Sequence, residues 1–293
     1  MIHSENEFRR AVARSHASAI AKLVQIGPVP FIDRRLAQWY GKPRDRRVHL
    51  FFGSTMDIVL PEVISQQIYT YGFFDETVTW LALHAARQGD TVIDVGAHFG
   101  YFSLLFSHMV GFSGRVISFE PTPSTYAVLS RNVQDFRNVT ALNAAAGAVE
   151  ENCQMTDYGL KYCAWNTLSD ASRLPDLLHE AESYHNVKVI CLDHWLAAAG
   201  IQPNVVKIDA ENCEDKVIAG LSHTLKMGHP RILMETGSVQ SLKAGQVLLA
   251  EGYRVYVSEG VGSLTCWKGT LEEANTQYKD ILFASDSLEA APC

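Results

Sequence analysis

The stretch TVIDVGAHFG, residues 91–100, decides the fold of this chain. Its first half is a short apolar run rich in β-branched residues, which predicts a buried strand over Thr91–Val95. Its second half is a glycine turn that opens a helix, because apolar residues then recur at helical spacing. Those residues are Phe102, Leu105, Phe106 and Met109. A buried strand, a glycine turn and an amphipathic helix in this order indicate an α/β fold.

Strand-like runs alternate with helical patterns through the rest of the chain. Thr122-Pro123, for example, supplies a helix N-cap and a first-turn proline after the second strand. This alternation predicts the α/β class, with a mostly parallel sheet of seven strands and helices on both faces. The six further predicted strands are Arg115–Phe119, Val139–Asn143, Val205–Ile208, Ile232–Met234, Tyr253–Val257 and Ile281–Ala284.

The residues before this alternation are predicted to form an N-terminal extension. A helical pattern covers about the first 30 residues, and Gly27–Pro30 is expected to end it. Pro43–Arg47 is predicted to be an exposed turn. Two apolar runs, Val48–Phe52 and Met56–Leu60, flank a Gly-Ser-Thr turn and predict a β-hairpin. We therefore divide the chain into an extension over residues 1–88 and an α/β domain over residues 89–293.

The composition is that of a folded globular protein, with 293 residues, 47% apolar residues and a net charge of −7. Its six cysteines form no C-x-x-C pair, and no apolar run approaches the ~18 residues of a membrane span. Charges scattered through the first 25 residues are untypical of a signal peptide. We therefore expect a cytoplasmic protein with reduced thiols, no transmembrane segment and no nucleic-acid partner.

The charge is distributed unevenly along the chain. Residues 1–50 hold ten Lys and Arg against four Asp and Glu, a net +6, so the remainder carries −13. The basic cluster in this part could contact an anionic partner or a membrane surface, or it could be a solvated arm. Its members are Arg34, Arg35, Lys42, Arg44, Arg46 and Arg47.

The turn after the first strand is the expected ligand site, because open α/β sheets bind ligands at the carboxyl ends of their strands. A dinucleotide site wants G-x-G-x-x-G, but here the spacing is G-x-x-x-G and His98 would crowd a pyrophosphate. Asp94 would place a carboxylate near the phosphates, whereas S-adenosylmethionine carries two cations that a carboxylate suits. The residues of the turn therefore favour S-adenosylmethionine.

Two polar residues at the ends of the next strands extend this predicted donor site. Glu120 could accept hydrogen bonds from both ribose hydroxyls, although an acid there also fits a dinucleotide. Asn143 is placed to reach the adenine side, or is a turn residue at the strand end. The complete set of predicted donor-binding residues is Asp94, Gly96, Ala97, His98, Gly100, Tyr101, Glu120, Pro121 and Asn143.

The fourth and fifth strands supply the candidates for catalysis. Lys207 and Asp209 are two residues apart and should project to the same side, with Glu211 just beyond them. Asp209 is the first choice for a general base, Glu211 and Glu235 are the alternatives, and Lys207 is an organiser or substrate contact. The carboxylates could instead hold Mg²⁺, and Lys207 and Asp209 could be only a structural ion pair.

Two further features could take part in catalysis or acceptor binding. His98 could exchange a proton, or it could make a backbone contact at the helix start. The polar segment Asp157–Asn186 interrupts the α/β rhythm and is either functional or a surface insertion. Its Tyr158, Tyr162 and Trp165 could stack on a sugar face or simply pack together.

Several ordered motifs of the chain resemble the FkbM-type methyltransferases, a class I S-adenosylmethionine-dependent family. The resemblance covers about residues 50–285. The motifs are Ile68–Gly72, Gly89–Tyr101, Gly114–Pro121, Asn143–Ala145, Leu192–Asp193, Val206–Glu211 and Met234–Glu235. One departure is Asn212, where the family usually has glycine after Lys-x-Asp-x-Glu, although Asn tolerates a left-handed backbone.

The resemblance implies a Rossmann-like donor-binding domain whose last strand is inserted antiparallel. It also implies methyl transfer to a hydroxyl of a small-molecule or glycan acceptor, such as a sugar or secondary metabolite. Two alternatives stay open, an NAD(P)-dependent oxidoreductase and a non-catalytic module that keeps the fold and the donor. The sequence leaves the acceptor, O- against N-methylation, metal dependence and the oligomeric state undetermined.

Overall fold

The computed structural model describes residues 2–40, 42–165 and 183–288. The helices are α1 (Ile2–Ser15), α2 (Ala19–Gln25), α3 (Val29–Tyr40), α4 (Val63–Tyr71), α5 (Glu76–Ala85), α6 (Tyr101–Val110), α7 (Pro123–Val133), α8 (Leu192–Ala199), α9 (Glu214–Ala219), α10 (Ser222–Gly228), α11 (Val239–Ala250) and α12 (Leu271–Gln277). The strands are β1 (Arg44–His49), β2 (Thr55–Leu60), β3 (Thr91–Val95), β4 (Arg115–Phe119), β5 (Val139–Leu142), β6 (Ala145–Gly147), β7 (Glu151–Asp157), β8 (Ser183–Cys191), β9 (Val205–Ile208), β10 (Arg231–Glu235), β11 (Arg254–Val257), β12 (Thr265–Cys266) and β13 (Asp280–Ala284). A 3₁₀ turn covers Cys163–Trp165.

One large sheet carries the fold, with strand order β12-β11-β13-β10-β9-β3-β4-β5. Strands β5, β4, β3, β9 and β10 run parallel, and β13 is antiparallel to β10 and β11. The α/β class, the seven predicted strands and the antiparallel last strand are therefore confirmed, and the two-residue β12 is an additional edge strand. The strand order reverses beside β3, which is where a ligand site is expected.

Successive side chains along each strand of the large sheet point alternately into two separate hydrophobic cores. Val92 of β3 and Val116 of β4 belong to one core, which α1 and α4–α7 cover. Ile93 and Ile117, the next residue along each strand, belong to the other core, which α8–α12 cover. Helices on both faces follow from this period of two, because each sheet face is apolar and must be buried.

The predicted N-terminal extension contributes to the first of these cores. Phe8 of α1, Ile58 of β2 and Trp80 of α5 are buried in the same cluster as Val92 of β3. The division at residue 88 stays a prediction. Within the described ranges, no helix combines the length and the apolar character that crossing a membrane requires.

Two predictions about the hairpin are wrong, and one helix was not predicted. The first helical stretch does end before Gly27, because α2 ends at Gln25, but a further helix, α3, starts at Val29. It places Pro30 in its first turn, where a missing N–H costs nothing. The first hairpin strand is Arg44–His49 rather than Val48–Phe52, so most of the predicted exposed turn Pro43–Arg47 belongs to a strand. Phe51 and Phe52 instead belong to the turn and pack in the first core.

The polar region after β5 forms a second sheet, which the sequence did not predict. Its strand order is β6-β8-β7, and β7 and β8 pair antiparallel from Glu151↔Val189 to Asp157↔Ser183. Asp157–Asn186, predicted to be either functional or a surface insertion, therefore begins and ends inside this sheet. Residues 166–182 lie outside the described residues.

A buried carboxyl group at the start of α4 makes stability depend on pH. Glu62 accepts hydrogen bonds from the backbone N–H groups of Ile64 (2.7 Å) and Ser65 (2.6 Å). Desolvation by burial raises its pKa to about 7. The pKa of Glu62 is therefore higher in the folded state than in the unfolded chain. The protonated carboxyl group contributes stability that is complete below about pH 4 and is lost as pH rises through about 7.

We expect Glu62→Gln to flatten the pH dependence of stability. An amide keeps one acceptor oxygen for the cap but cannot ionise, so the fall in unfolding free energy between about pH 5 and pH 8 should shrink by roughly 3 kcal/mol. Urea unfolding followed by circular dichroism at several pH values measures this. Exposed Glu150 is the matched control, and Glu150→Gln should retain the wild-type slope. An unchanged slope in Glu62→Gln would contradict the prediction.

Candidate active site

The turn after β3 is shaped by contacts within the chain. Gly96 has φ +72°, and a Cβ built there would lie 1.8 Å from the carbonyl oxygen of Asp209. His98 has φ +51°, a left-handed conformation that few side chains adopt. The structure requires glycine at position 96 because the loop after β9 passes against it.

A cleft opens at the carboxyl ends of β3, β4 and β9. Six of the predicted site residues line it: Gly96, His98, Glu120, Pro121, Asp209 and Glu211. The predicted donor end and the predicted catalytic end therefore share one cavity. Its remaining wall includes residues that the sequence did not single out: Ile64, Thr122, Ala146, Met155, Cys163 and Ala164.

Glu120 ties the β3 turn to the start of α7. Its two carboxylate oxygens accept the backbone N–H groups of His98 and Thr122, each at 3.0 Å. Desolvation by burial raises the pKa of Glu120 to about 7. The side chain of Thr122 also hydrogen-bonds to Glu120. A carboxylate has about four lone-pair sites, so these contacts leave acceptor capacity for a hydroxyl donor from the cleft.

A buried ion network lies beneath the same turn. Lys207 Nζ is 3.5 Å from Asp94 Oδ1, 3.5 Å from Asp209 Oδ2 and 3.2 Å from the Gly96 carbonyl oxygen. Burial opposes the charge, but the carboxylates of Asp209 and Asp94 outweigh it, so the pKa of Lys207 is raised. Ser103 Oγ donates to Asp94 Oδ2 at 2.7 Å. Lys207 therefore joins β3 to β9.

Three carboxyl groups meet beside this network. One oxygen each from Asp209, Glu211 and Glu235 lies within 4.8 Å of the others. Desolvation, followed by the neighbouring carboxylates, raises the pKa of Glu211 and of Glu235. Close carboxyl groups of this kind retain a proton among them or bind a cation. Oxygen-only ligands fit the chemistry of Mg²⁺, so these residues are the ones that would hold it.

Asn212 preserves the loop in which it replaces glycine. It has φ +71°, and Glu211 before it has φ +45°. Both residues are therefore in the left-handed region, which Asn tolerates better than most residues. The backbone N–H of Asn212 donates to Glu214 at 3.1 Å, and this bond supports the turn.

Several predicted donor-binding residues point away from the cleft. Asp94 is fully buried in the ion network described above. Ala97 is buried, and a Cβ on Gly100 would meet Leu129 of α7 at 2.8 Å. The Tyr101 hydroxyl lies 3.1 Å from Thr79 Oγ1 of α5. These residues shape the turn from behind the cleft.

Asn143 and the predicted aromatic acceptor contacts also lie away from the cleft wall. Asn143 is exposed, and its amide donates to the carbonyl oxygens of Glu120 and Pro121 at 2.9 Å each. Tyr158 is buried and Tyr162 is half-buried, and neither lines the cleft. The side chain of Trp165 lies outside the described residues. The roles of these four residues stay predictions.

His98 and Cys163 join the two sheets across the cleft. His98 Nε2 lies 3.1 Å from Cys163 Sγ. Desolvation lowers the pKa of His98 to about 4, so its ring is neutral at physiological pH. Cys163 belongs to the 3₁₀ turn between β7 and β8, and no sequence pattern connected it with residue 98. A neutral ring held by a thiol favours a positioning role over proton exchange.

Comparison with known proteins adds one clear match. The model of the methyltransferase FkbM domain matches residues 94–255, which is more than half of the chain. No curated protein matched.

Several solved structures are similar to part of the chain. Methyltransferase FkbM from Methylobacillus flagellatus is 15% identical over 67% of this chain and 43% of its own, with a TM-score of 0.43. Fibrillarin from Aeropyrum pernix, with bound S-adenosyl-L-methionine, is 12% identical over 68% of this chain and 67% of its own, at 0.40. An O-methyltransferase from Thermotoga maritima is 12% identical over 88% and 83%, at 0.38. This chain thus spans less than half the length of the first.

Proposed function

The chain belongs to the FkbM methyltransferase family, and on that premise we propose that it transfers a methyl group from S-adenosylmethionine to a hydroxyl of a sugar, glycan or secondary metabolite. One observation carries the proposal. A single cleft is lined by Glu120 at the end of β4 and by Asp209 and Glu211 after β9. A ribose-binding carboxylate and a candidate base therefore share one cavity.

The donor end of the cleft is built around Glu120. Its carboxylate holds the β3 turn and the start of α7 through His98 and Thr122, and its remaining acceptor capacity suits a ribose hydroxyl. S-adenosylmethionine supplies an electrophilic methyl group. Gly96 and His98 line the cleft beside Glu120 and would contact the bound donor.

The acceptor end is built around Asp209. Its side chain is 38% exposed, so an incoming hydroxyl can reach it, and Lys207 holds it at 3.5 Å. As the hydroxyl oxygen bonds to the methyl carbon, the carbon–sulfur bond breaks and Asp209 takes the hydroxyl proton. Holding the two reacting groups in one cleft supplies much of the rate enhancement.

Calorimetric titration with S-adenosylhomocysteine, NAD⁺ and NADP⁺ tests the donor assignment. Selective binding of S-adenosylhomocysteine is expected. Selective binding of a dinucleotide would instead favour the oxidoreductase. Donor binding without methyl transfer to a panel of sugars and hydroxylated metabolites would favour the non-catalytic module. Loss of transfer with a chelator, restored by Mg²⁺, would assign the three carboxylates to metal binding.

Glu120→Ala is expected to weaken donor binding. Loss of hydrogen bonds to a charged group costs about 1.5–3 kcal/mol, so the Kd for S-adenosylhomocysteine should rise roughly 10- to 150-fold. Calorimetry measures the change, and circular dichroism checks that the variant is folded. Glu150, an exposed acid, is the matched control, and Glu150→Ala should bind like the wild type. An unchanged Kd in folded Glu120→Ala would refute the ribose assignment.

A further inference from the structure

Helix α3 turns its polar side toward the protein. Asp33 accepts from Arg46 of β1 at 2.9 Å and from Tyr69 of α4 at 3.2 Å. Arg34 donates to Thr70 at 3.0 Å. Gln38 also bonds to α4, through Gln66 at 2.8 Å. Polar contacts of this kind fix which face of α3 is inward.

The opposite face of α3 is apolar and exposed. Its apolar side chains follow helical spacing over three turns, so they form one stripe. They are Val29 (63% exposed), Ile32 (56%), Leu36 (41%), Trp39 (77%) and Tyr40 (55%). Helix α2 also exposes two apolar side chains, Ile20 (78%) and Val24 (80%). We call the five residues of α3 the outer stripe. A contiguous exposed apolar surface marks an interaction site, because exposing apolar side chains to water is unfavourable.

The surroundings of the outer stripe are basic. Residues 16–44 contain five Lys and Arg and one acid, a net +4, whereas residues 51–293 carry −13. The single acid, Asp33, is already paired with Arg46. Arg35 and Lys42 are exposed, and the Arg44 guanidinium lies 4.8 Å over the Tyr40 ring. Arg46 and Arg47 pair with Asp33 and Asp57, so the charges of these two members of the predicted basic cluster are balanced within the protein.

We propose that the outer stripe inserts into the interfacial region of an anionic membrane. Apolar side chains beside lysine and arginine, with Trp and Tyr among them, are the chemistry of helices that lie in a membrane surface. Arginine and lysine would contact lipid phosphates while the stripe enters the acyl boundary. If two copies of the chain met at this stripe through a two-fold axis, the basic residues beside it would face the same residues of the other copy. Repulsion between these like charges opposes such a dimer. The proposal goes beyond methyl transfer and does not depend on it.

Flotation of the full chain with lipid vesicles tests the proposal. One set of vesicles contains phosphatidylcholine alone, and the other contains equal parts of phosphatidylcholine and phosphatidylglycerol. We expect binding to the anionic vesicles and a decrease as salt rises. Each basic residue near an anionic surface strengthens binding about fivefold, so the double variant Arg35→Gln/Lys42→Gln should bind roughly 30-fold more weakly. Trp39→Gln should weaken binding by about tenfold or more.

The control is an exposed aromatic outside the stripe. Phe112 is fully exposed between α6 and β4, and Phe112→Gln should bind vesicles like the wild type. Absence of binding to anionic vesicles, or equal binding to both kinds, would overturn the proposal. Light scattering coupled to size-exclusion chromatography tests the alternative that a second copy of the chain binds the outer stripe. A dimer that Trp39→Gln converts to monomer would assign the stripe to a second copy and also overturn it.

Discussion

Asp209→Asn is expected to lower turnover by about 10²- to 10⁴-fold, the range for loss of a positioned general base. Asp209 is the carboxylate that both lines the cleft and lies 3.5 Å from Lys207. An amide of the same shape keeps the loop after β9 but cannot accept the hydroxyl proton. The affinity for S-adenosylhomocysteine should therefore stay close to that of the wild type.

The measurement is transfer of labelled methyl groups to an acceptor found in the sugar and metabolite screen, with donor Kd determined in parallel. Glu235→Gln is the matched control, because Glu235 belongs to the same carboxyl cluster but does not line the cleft. It should retain more activity than Asp209→Asn. Near-normal turnover in Asp209→Asn would move the role of base to Glu211, Glu235 or His98.

Lys207→Met is expected to lower the free energy of unfolding by about 3–5 kcal/mol, the cost of leaving one buried partner of an ion pair uncompensated. Asp94 is fully buried and Lys207 is 4% exposed, so water cannot replace the lost ammonium group. The turn should also loosen, because Lys207 Nζ donates to the carbonyl oxygen of Gly96. Urea unfolding at neutral pH measures the loss.

The double variant Asp94→Asn/Lys207→Met separates loss of charge balance from loss of packing. It removes both charges, so it should recover much of the stability that Lys207→Met loses. A double variant as unstable as the single one would place the effect in packing around Phe102, whose ring lies 5.2 Å from Lys207 Nζ. A loss below about 1 kcal/mol in Lys207→Met would contradict the prediction altogether.

The sequence predicted the large sheet well but missed the second sheet and helix α3. Strands β3, β4 and β9 match their predicted limits, because each is a short run of mainly apolar residues in the middle of a sheet that is covered on both faces. The second sheet was missed because β7 and β8 carry many polar, exposed side chains and because the two strands lie far apart in the sequence. Helix α3 was missed because proline was taken as a stop signal, although proline fits the first turn of a helix.

The candidate site was likewise predicted only in part. Glu120 and Asp209 were placed correctly at strand ends, because parallel strands bring their carboxyl ends to one edge. Cys163 could not be found, because it reaches His98 only through the 3₁₀ turn that precedes the undescribed residues 166–182. The outward apolar face of α3 was also beyond the sequence, since periodicity indicates an amphipathic helix without indicating which face is buried.

The sequence alone therefore determined the α/β class, the antiparallel last strand implied by the family resemblance and the edge of the sheet where the site lies. These depend on local patterns of apolar residues and on glycine. Only the tertiary structure showed that the Asp209 carbonyl occupies the space beside Gly96 and that Lys207 pairs with both Asp94 and Asp209. It also showed that the outer stripe faces away from the protein. Those features are contacts between residues far apart in the chain, and only packing in three dimensions selects them.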